Sequence, residues 1–213
     1  MTFDEFTKER ILEDMAKLQY LYRLKKVIRY DQNRHETDST ESVAEHVYGM
    51  HILAHYFLPL EDPGGNWNDA RIYEMITLHD VDEIETGDIL GWAKTPEQRL
   101  LEAEATEVVI QKSPVHMQIK LKQRLSEYET QETPEAKFAR AIDKIEPLVQ
   151  IFNEAGKSIF QHTKTTAENS LRIKAPYVAI FPFIKKFSET IHQELIDGNY
   201  YWREPAETHA TLN

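Results

Sequence analysis

Hydrophobic positions recur at three- and four-residue steps along most of this chain. Ile11, Met15, Leu18 and Tyr22 form one stripe, and Val43, Val47, Met50, Ala54 and Phe57 form a second. Ile72, Met75, Ile76 and His79 continue the pattern, followed by Phe138, Ile142, Ile145 and Val149, and then by Ile184, Phe187, Ile191 and Leu195. Residues three and four apart share one face of a helix, so each run predicts an amphipathic helix with that face turned to a core. Two more helices are expected at about 96–112 and 114–129, where Pro96 and Pro114 suit first-turn positions. Pro182 opens the last helix and Gly198 follows its end. Period-two alternation, the mark of a half-buried strand, is scarce.

The breaks are equally legible. Tyr30 to Glu41 is polar and leads into Ser42-Val43-Ala44-Glu45, a capping box for the next helix. Glu61 to Asn66 reads as a turn, and Thr130 to Thr133 as a short connector. The expectation is an all-α bundle of about six to eight helices in one domain over 1–202, with a frayed tail at 203–213.

Composition narrows the chemistry. The 213 residues carry a formal charge of −11 and no cysteine. A disulfide framework and a thiolate metal site are therefore excluded, and any metal must use His, Asp or Glu. The acidic balance argues against a nucleic-acid surface but not against a small anionic substrate, because a bound cation reverses the local sign. No apolar run reaches the roughly 20 residues of a membrane span, and residues 1–20 lack a signal-peptide core. A cytoplasmic protein with no membrane partner is expected.

The informative segment is Leu78 to Asp88. His79 continues an apolar stripe and so faces inward; Asp80 is adjacent, and Glu83 follows within one turn if the helix continues. Burying carboxylates there is costly unless a cation compensates. His46 lies one position from Val47 on the inner side of its helix, and Asp143 sits between Ile142 and Ile145. Taken singly each has a plain reading: a satisfied core histidine, a chance His-Asp pair, an ion pair of Asp143 with Lys144. Taken together, two imidazoles and two carboxylates in separate inward-facing helices make a nitrogen/oxygen site suited to Mn, Co, Zn, Fe, Ni or Cu. His51 and His55, spaced i and i+4, lack the glutamate of a zinc-protease motif and read as partly exposed or core histidines.

The order His46, His79-Asp80, Asp143 resembles the HD-domain superfamily of metal-dependent phosphohydrolases, which are helical bundles. The stretches Leu24–Arg29, Glu41–His46, His79–Ile89 and Asp143–Glu146 are similar to its 5′-deoxynucleotidase branch. The resemblance implies one divalent ion on His46, His79, Asp80 and Asp143, a nucleotide monophosphate as substrate, and a homodimer. It further implies Glu83 as the group that orients or deprotonates the attacking water and Asp88 as an acid/base or sugar contact. Arg29 and Lys94 would contact phosphate, and Tyr30 would stand where the family places an aromatic on the sugar. The segment Asp31 to Thr40 departs from the pattern, being longer and without an arginine just before Glu41. A divalent ion lowers the pKa of bound water from about 15.7 toward roughly 7, and a nearby arginine neutralises charge that develops on the phosphate. The resemblance also implies one metal rather than two, because dinuclear members carry two more histidines between the His-Asp pair and the last Asp, and here only His116 lies between Asp80 and Asp143. Two competing readings remain: another single-metal hydrolase, acting on a triphosphate or cyclic nucleotide, and a non-catalytic metal-stabilised module.

Overall fold

A computed structural model describes residues 7–30, 40–89, 94–154 and 156–203. The expected tail beyond Arg203 and the segment 31–39, with Arg34 and His35, lie outside the described residues. Eight helices of ten residues or more are present: α1 (Lys8–Leu21), α2 (Val43–Glu61), α3 (Asp69–Leu78), α5 (Pro96–Lys112), α6 (Val115–Thr130), α7 (Pro134–Ile151), α9 (Ala167–Val178) and α10 (Pro182–Asp197). Two short ones, α4 (Glu83–Thr86) and α8 (Gly156–His162), and a 3-10 turn at Tyr22–Lys26 complete the order. No strand occurs among the described residues, so the all-α expectation holds.

Helix α7 is the spine. Ala136, Phe138, Ala139, Ala141, Ile142 and Ile145 are all fully buried, and α2, α3, α6, α9 and α10 pack round them. The Phe138 ring meets Trp67 and Phe181 edge-on or tilted, at 5.4 and 5.9 Å between centroids. Truncating one such ring to alanine costs about 3–5 kcal/mol, because a packed core collapses only partly round the void. A smaller cluster of Val81, Val109, Ile110, Leu121 and Leu125 joins α5 and α6. Val81 thus anchors the turn after α3 in one core while Met75 and Ile76 anchor α3 in the other. The turn between them carries His79 and Asp80.

Three local details differ from the sequence reading. The stripe on α1 has no wall to pack on: Ile11, Met15, Leu18 and Tyr22 are 38%, 49%, 37% and 61% exposed. Helix α1 packs mainly on the 3-10 turn and α5, through its far end where Tyr20 also bonds Glu85, and its one buried residue is Asp14, paired with Arg10. Helix α3 stops at Leu78 with His79 as its cap, so Glu83 arrives on the separate α4 rather than on a continued helix. Pro114 caps α6 instead of opening it. The capping box of α2 forms as read, with Ser42 and Glu45 each bonding the other's backbone N–H.

Candidate metal centre

Three elements converge. The capping box starts α2 so that His46 falls in its first turn, facing α7, where Asp143 and Glu146 lie one turn apart. The end of α3 delivers His79, and the turn delivers Asp80. The two imidazole centroids are 5.6 Å apart. Asp143 Oδ1 stands 3.4 Å from His46 Nε2 and 3.9 Å from His79 Nε2, and Asp80 Oδ2 stands 2.9 Å from His79 Nε2. One ligand atom from each of His46, His79 and Asp143 lies within 4.8 Å of the others.

The donor set fits a divalent cation. Both Nε2 atoms are buried without a hydrogen-bond partner, an arrangement native proteins avoid unless something else satisfies the atom. Both Nδ1 atoms are engaged. His79 Nδ1 bonds the Ile76 carbonyl at 3.0 Å; an oxygen there only accepts, so the proton sits on Nδ1 and the Nε2 lone pair points inward. His46 Nδ1 meets Glu146 Oε2 at 2.6 Å, the carboxylate–histidine pairing that orients a ligand and makes it more basic. Two such nitrogens with two carboxylates suit a first-row divalent metal.

Neighbouring charges are arranged round that point. Burial works against the Asp143 carboxylate, but Lys144 and the two imidazoles hold its pKa well below the usual range. Tyr128 donates to its Oδ2 at 3.0 Å, and Lys144 Nζ lies 2.8 Å from the same atom. Burial and the nearby Arg29 oppose a charge on His46, yet Glu146 and Asp143 outweigh them and push it up to about 9. Glu83 is buried, and burial together with the charges of Asp80 and Asp88 pushes its pKa well above the carboxylate range. Its Oε2 also lacks a hydrogen-bond partner.

The remaining sequence-nominated residues divide between the two sides of this point. Residues 27–29 pair with 41–43, through Arg29 N–H to Glu41 O and Val43 N–H to Val27 O, each at 2.9 Å. That clip sets Arg29 beside His46, where its guanidinium meets Glu41 at 2.8 Å, Glu146 at 3.5 Å and Asp88 at 3.8 Å. Its Nε has no hydrogen-bond partner. Tyr30 sits at φ 72°, a left-handed backbone that costs a non-glycine residue of order 1–3 kcal/mol and marks functional segments. Asp88 Oδ2 holds it there by accepting the Tyr30 N–H at 2.8 Å, and the Tyr30 hydroxyl donates to Glu41. Gly87, at φ 71° and ψ 167°, takes a conformation essentially closed to other residues and turns Asp88 back toward the site. Lys94 stands away from Arg29, ion-paired with Glu102, on a cavity shared with Asp80 and Glu83. His51 and His55 are absent from the cluster; His51 bonds Thr77 and stacks on Tyr73, and His55 bonds the Tyr73 hydroxyl.

Sequence reasoning gave no role to Glu41, Glu146, Tyr128 and Lys174. For Glu146 the signal was present: it follows Asp143 by three residues and so shares its face. Two cavities flank the cluster. One, of about 510 Å³, is lined by His79, Asp80, Glu83 and Lys94 among others. The other, of about 140 Å³, is lined by Arg29, Tyr30, Asp88, Asp143 and residues of α7 to α9.

Comparison with known proteins supplies the family. The HD domain family matches residues 21–184. The 5′-deoxynucleotidase hdd1 of Schizosaccharomyces pombe is 33% identical over 141 residues, which cover 63% of this chain and 69% of that protein. The bovine 5′-deoxynucleotidase HDDC2 is 31% identical over 135 residues, 62% of this chain and 63% of the relative. A 5′-deoxynucleotidase of Yersinia pseudotuberculosis is 27% identical over 192 residues, 84% of this chain and 96% of that protein. The chain thus spans roughly two thirds of the yeast and bovine relatives and nearly all of the bacterial one. In fold, a Magnetospirillum magnetotacticum protein described as a predicted metal-dependent phosphohydrolase superposes with a TM-score of 0.76 at 21% identity, over 92% of this chain and 100% of that one. With the family's match running from the 3-10 turn into α10, this chain belongs to the HD-domain phosphohydrolases.

Proposed function

We propose that this chain is a cytoplasmic 5′-deoxynucleotidase: a phosphomonoesterase that hydrolyses 2′-deoxyribonucleoside 5′-monophosphates to deoxynucleoside and phosphate, using one divalent ion on His46, His79, Asp80 and Asp143. The observation that carries the reading is the pair of buried, unpartnered Nε2 atoms facing Asp80 and Asp143 with Glu83 close behind. The names of the relatives supply the substrate class. Absence of cysteine and of any described helix able to cross a membrane supports the compartment.

A divalent ion held there supplies Lewis acidity, polarising a phosphoryl oxygen and acidifying water. The protein's own groups do the rest. Glu83 orients the attacking water and takes its proton, a role for which its desolvated position suits it. Arg29 faces three carboxylates, so its task is less to add charge than to aim donors at a phosphate oxygen. Tyr30 and Asp88, locked together by the backbone bond, border the sugar; Lys94 borders the opposite cavity and contacts phosphate. Glu83, unpartnered at Oε2, is a group a merely structural metal site would not need.

We also propose that the domain, over 1–202, acts as a homodimer, supported by the apolar stripe that α1 leaves exposed. The functional test is phosphate release from deoxynucleoside mono-, di- and triphosphates and cyclic nucleotides with Mn, Co, Zn and Mg in turn. Turnover confined to the 5′-monophosphates supports the reading; turnover of triphosphates or cyclic nucleotides instead overturns it, as does bound metal with no turnover at all.

A further inference from the structure

The smaller cavity has a chemical character of its own. It borders Asp143, Arg29, Tyr30 and Asp88 on one side, and Ile151, Ile159, Phe160 and Ile173 give it apolar walls. Lys144, Thr163, Thr165, Ser170 and Lys174 supply its other polar groups, and Lys144 is taken up by Asp143 at 2.8 Å. Their hydrogen bonds fix which of them can donate and which can accept.

Thr163 gives its only hydroxyl proton to the Ile159 carbonyl at 2.8 Å. Its 2.7 Å contact with Thr165 Oγ1 must therefore use the Thr165 proton, which leaves the Thr165 oxygen as an acceptor. His192 Nδ1 donates to the Ser188 carbonyl at 2.7 Å, so its Nε2 accepts the Ser170 proton at 3.1 Å. Ser170 Oγ in turn accepts from Lys174 Nζ at 2.9 Å. An ammonium has three donors, so Lys174 keeps two for the cavity. Among the described residues no carboxylate forms an ion pair with it. Between apolar walls the cavity thus presents a donor at Lys174 and an acceptor at Thr165.

Resting on the deoxynucleotidase reading, we propose that this cavity is the base subsite and that it takes a single-ring base, so that the preferred substrates are pyrimidine 2′-deoxyribonucleoside 5′-monophosphates. Size and edge chemistry both point there. An apolar cavity of about 150 Å³ holds one benzene ring, and this one is about 140 Å³. A purine adds a fused second ring. Every pyrimidine base carries a carbonyl at C2, which accepts from Lys174; thymine and uracil then offer N3–H to Thr165, and cytosine its amino group. Adenine has no carbonyl to offer; guanine offers a carbonyl beside a ring N–H, so its second ring alone sets it apart. The larger cavity is the poorer home for a ring, because Asp82, Lys94, Arg99, Glu102 and Lys122 crowd its wall with charge.

The test is steady-state kinetics of the metal-loaded enzyme on dCMP, dUMP, dTMP, dAMP and dGMP, for the native chain, Lys174→Met and Thr165→Val. The native enzyme is expected to favour the pyrimidines by roughly tenfold or more in kcat/KM. Each variant is expected to lose roughly 10–100-fold on pyrimidines, mainly through KM, with inhibition by inorganic phosphate unchanged. Equal kcat/KM for purines and pyrimidines would overturn the base subsite and leave the nucleotidase reading standing. No turnover on any of the five nucleotides with any metal would sink both. Weaker phosphate inhibition in Lys174→Met would show the lysine binding phosphate and overturn its assignment to the base. Far-UV melting of both variants, which lie on separate segments, checks that each is folded before its kinetics are read.

Discussion

Glu146→Gln keeps the size of the side chain that orients His46 and removes its charge, and its effect on metal affinity should change with pH. At 2.6 Å from Nδ1, the Glu146 carboxylate does two opposed things. It makes the imidazole a stronger ligand, and losing such a partner typically weakens metal binding by about 10–100-fold, or about 1.4–2.7 kcal/mol. It also helps hold a proton on His46, whose pKa is raised from 6.5 to about 9 by Glu146 and Asp143 against the effects of burial and Arg29. A ligand must shed its proton to bind a metal.

Well above pH 9 the proton no longer competes, and at pH 9 it costs only about a factor of two, so there the native chain should bind more tightly than the variant by nearly the full 10–100-fold. Between pH 9 and pH 7 the native affinity should fall by about two decades, one per pH unit, as His46 is increasingly protonated. In the variant His46 titrates nearer its ordinary value, and affinity should change much less over the same range. The two curves should therefore converge near pH 7. Competition against a chromophoric chelator measures both at each pH, and far-UV melting confirms that the variant is folded. Parallel curves from pH 7 to 9, or equal affinities at pH 9, would refute the coupling between Glu146 and His46.

Asp80→Ala should lose both metal and turnover, whereas Glu83→Gln should keep metal, read by elemental analysis, and lose roughly 10²–10⁴-fold in kcat; undiminished turnover in Glu83→Gln would exclude it as the base. His192 is buried and burial lowers its pKa from 6.5 to about 4. The folded state thus refuses a proton that the unfolded state accepts, so stability is intact above about pH 6.5 and falls as pH drops toward 4, by about 3 kcal/mol in all. His192→Gln should flatten that acid limb in urea melts, and an identical pH slope in both proteins would contradict the assignment. Met15→Asp, on the exposed stripe of α1, should shift light-scattering mass from dimer toward monomer; an unchanged dimer would move the interface elsewhere.

Periodicity made the helices readable because every stripe but one meets a wall inside the chain. The exception is instructive. Ile11, Met15, Leu18 and Tyr22 have the same spacing as Val43 to Phe57, yet only the second set is buried by α7 and α10. Spacing shows that a face is apolar and says nothing of what covers it. The candidate ligands were readable for a related reason: His46, His79 and Asp143 lie on or beside apolar stripes, where a polar residue needs an explanation. Glu41 gave no such warning, because a glutamate in a polar stretch reads as solvated until its partner is in place; Glu146 shares the face of Asp143, but spacing does not show that His46 meets it. Lys174 lay in a stretch without a motif, and its significance rests on contacts with Ser170 and a cavity that only the tertiary fold creates.

The charge of the site is the deeper constraint. Glu41, Asp80, Glu83, Asp88, Asp143 and Glu146 gather where the facing cations among the described residues include Arg29, Lys94, Lys144, Lys174 and Arg140, the last paired with Glu129. Arg29 is already matched by carboxylates, Lys94 by Glu102 and Lys144 by Asp143. In a chain of net charge −11, a phosphate approaching such a cluster unaided would be repelled. A divalent cation reverses the local sign and offsets the cost of burying so many acids together. The same acids that would exclude the substrate therefore create the site that admits it. Lys174, matched by a hydroxyl rather than a carboxylate, is the cation left over for whatever enters beside the metal.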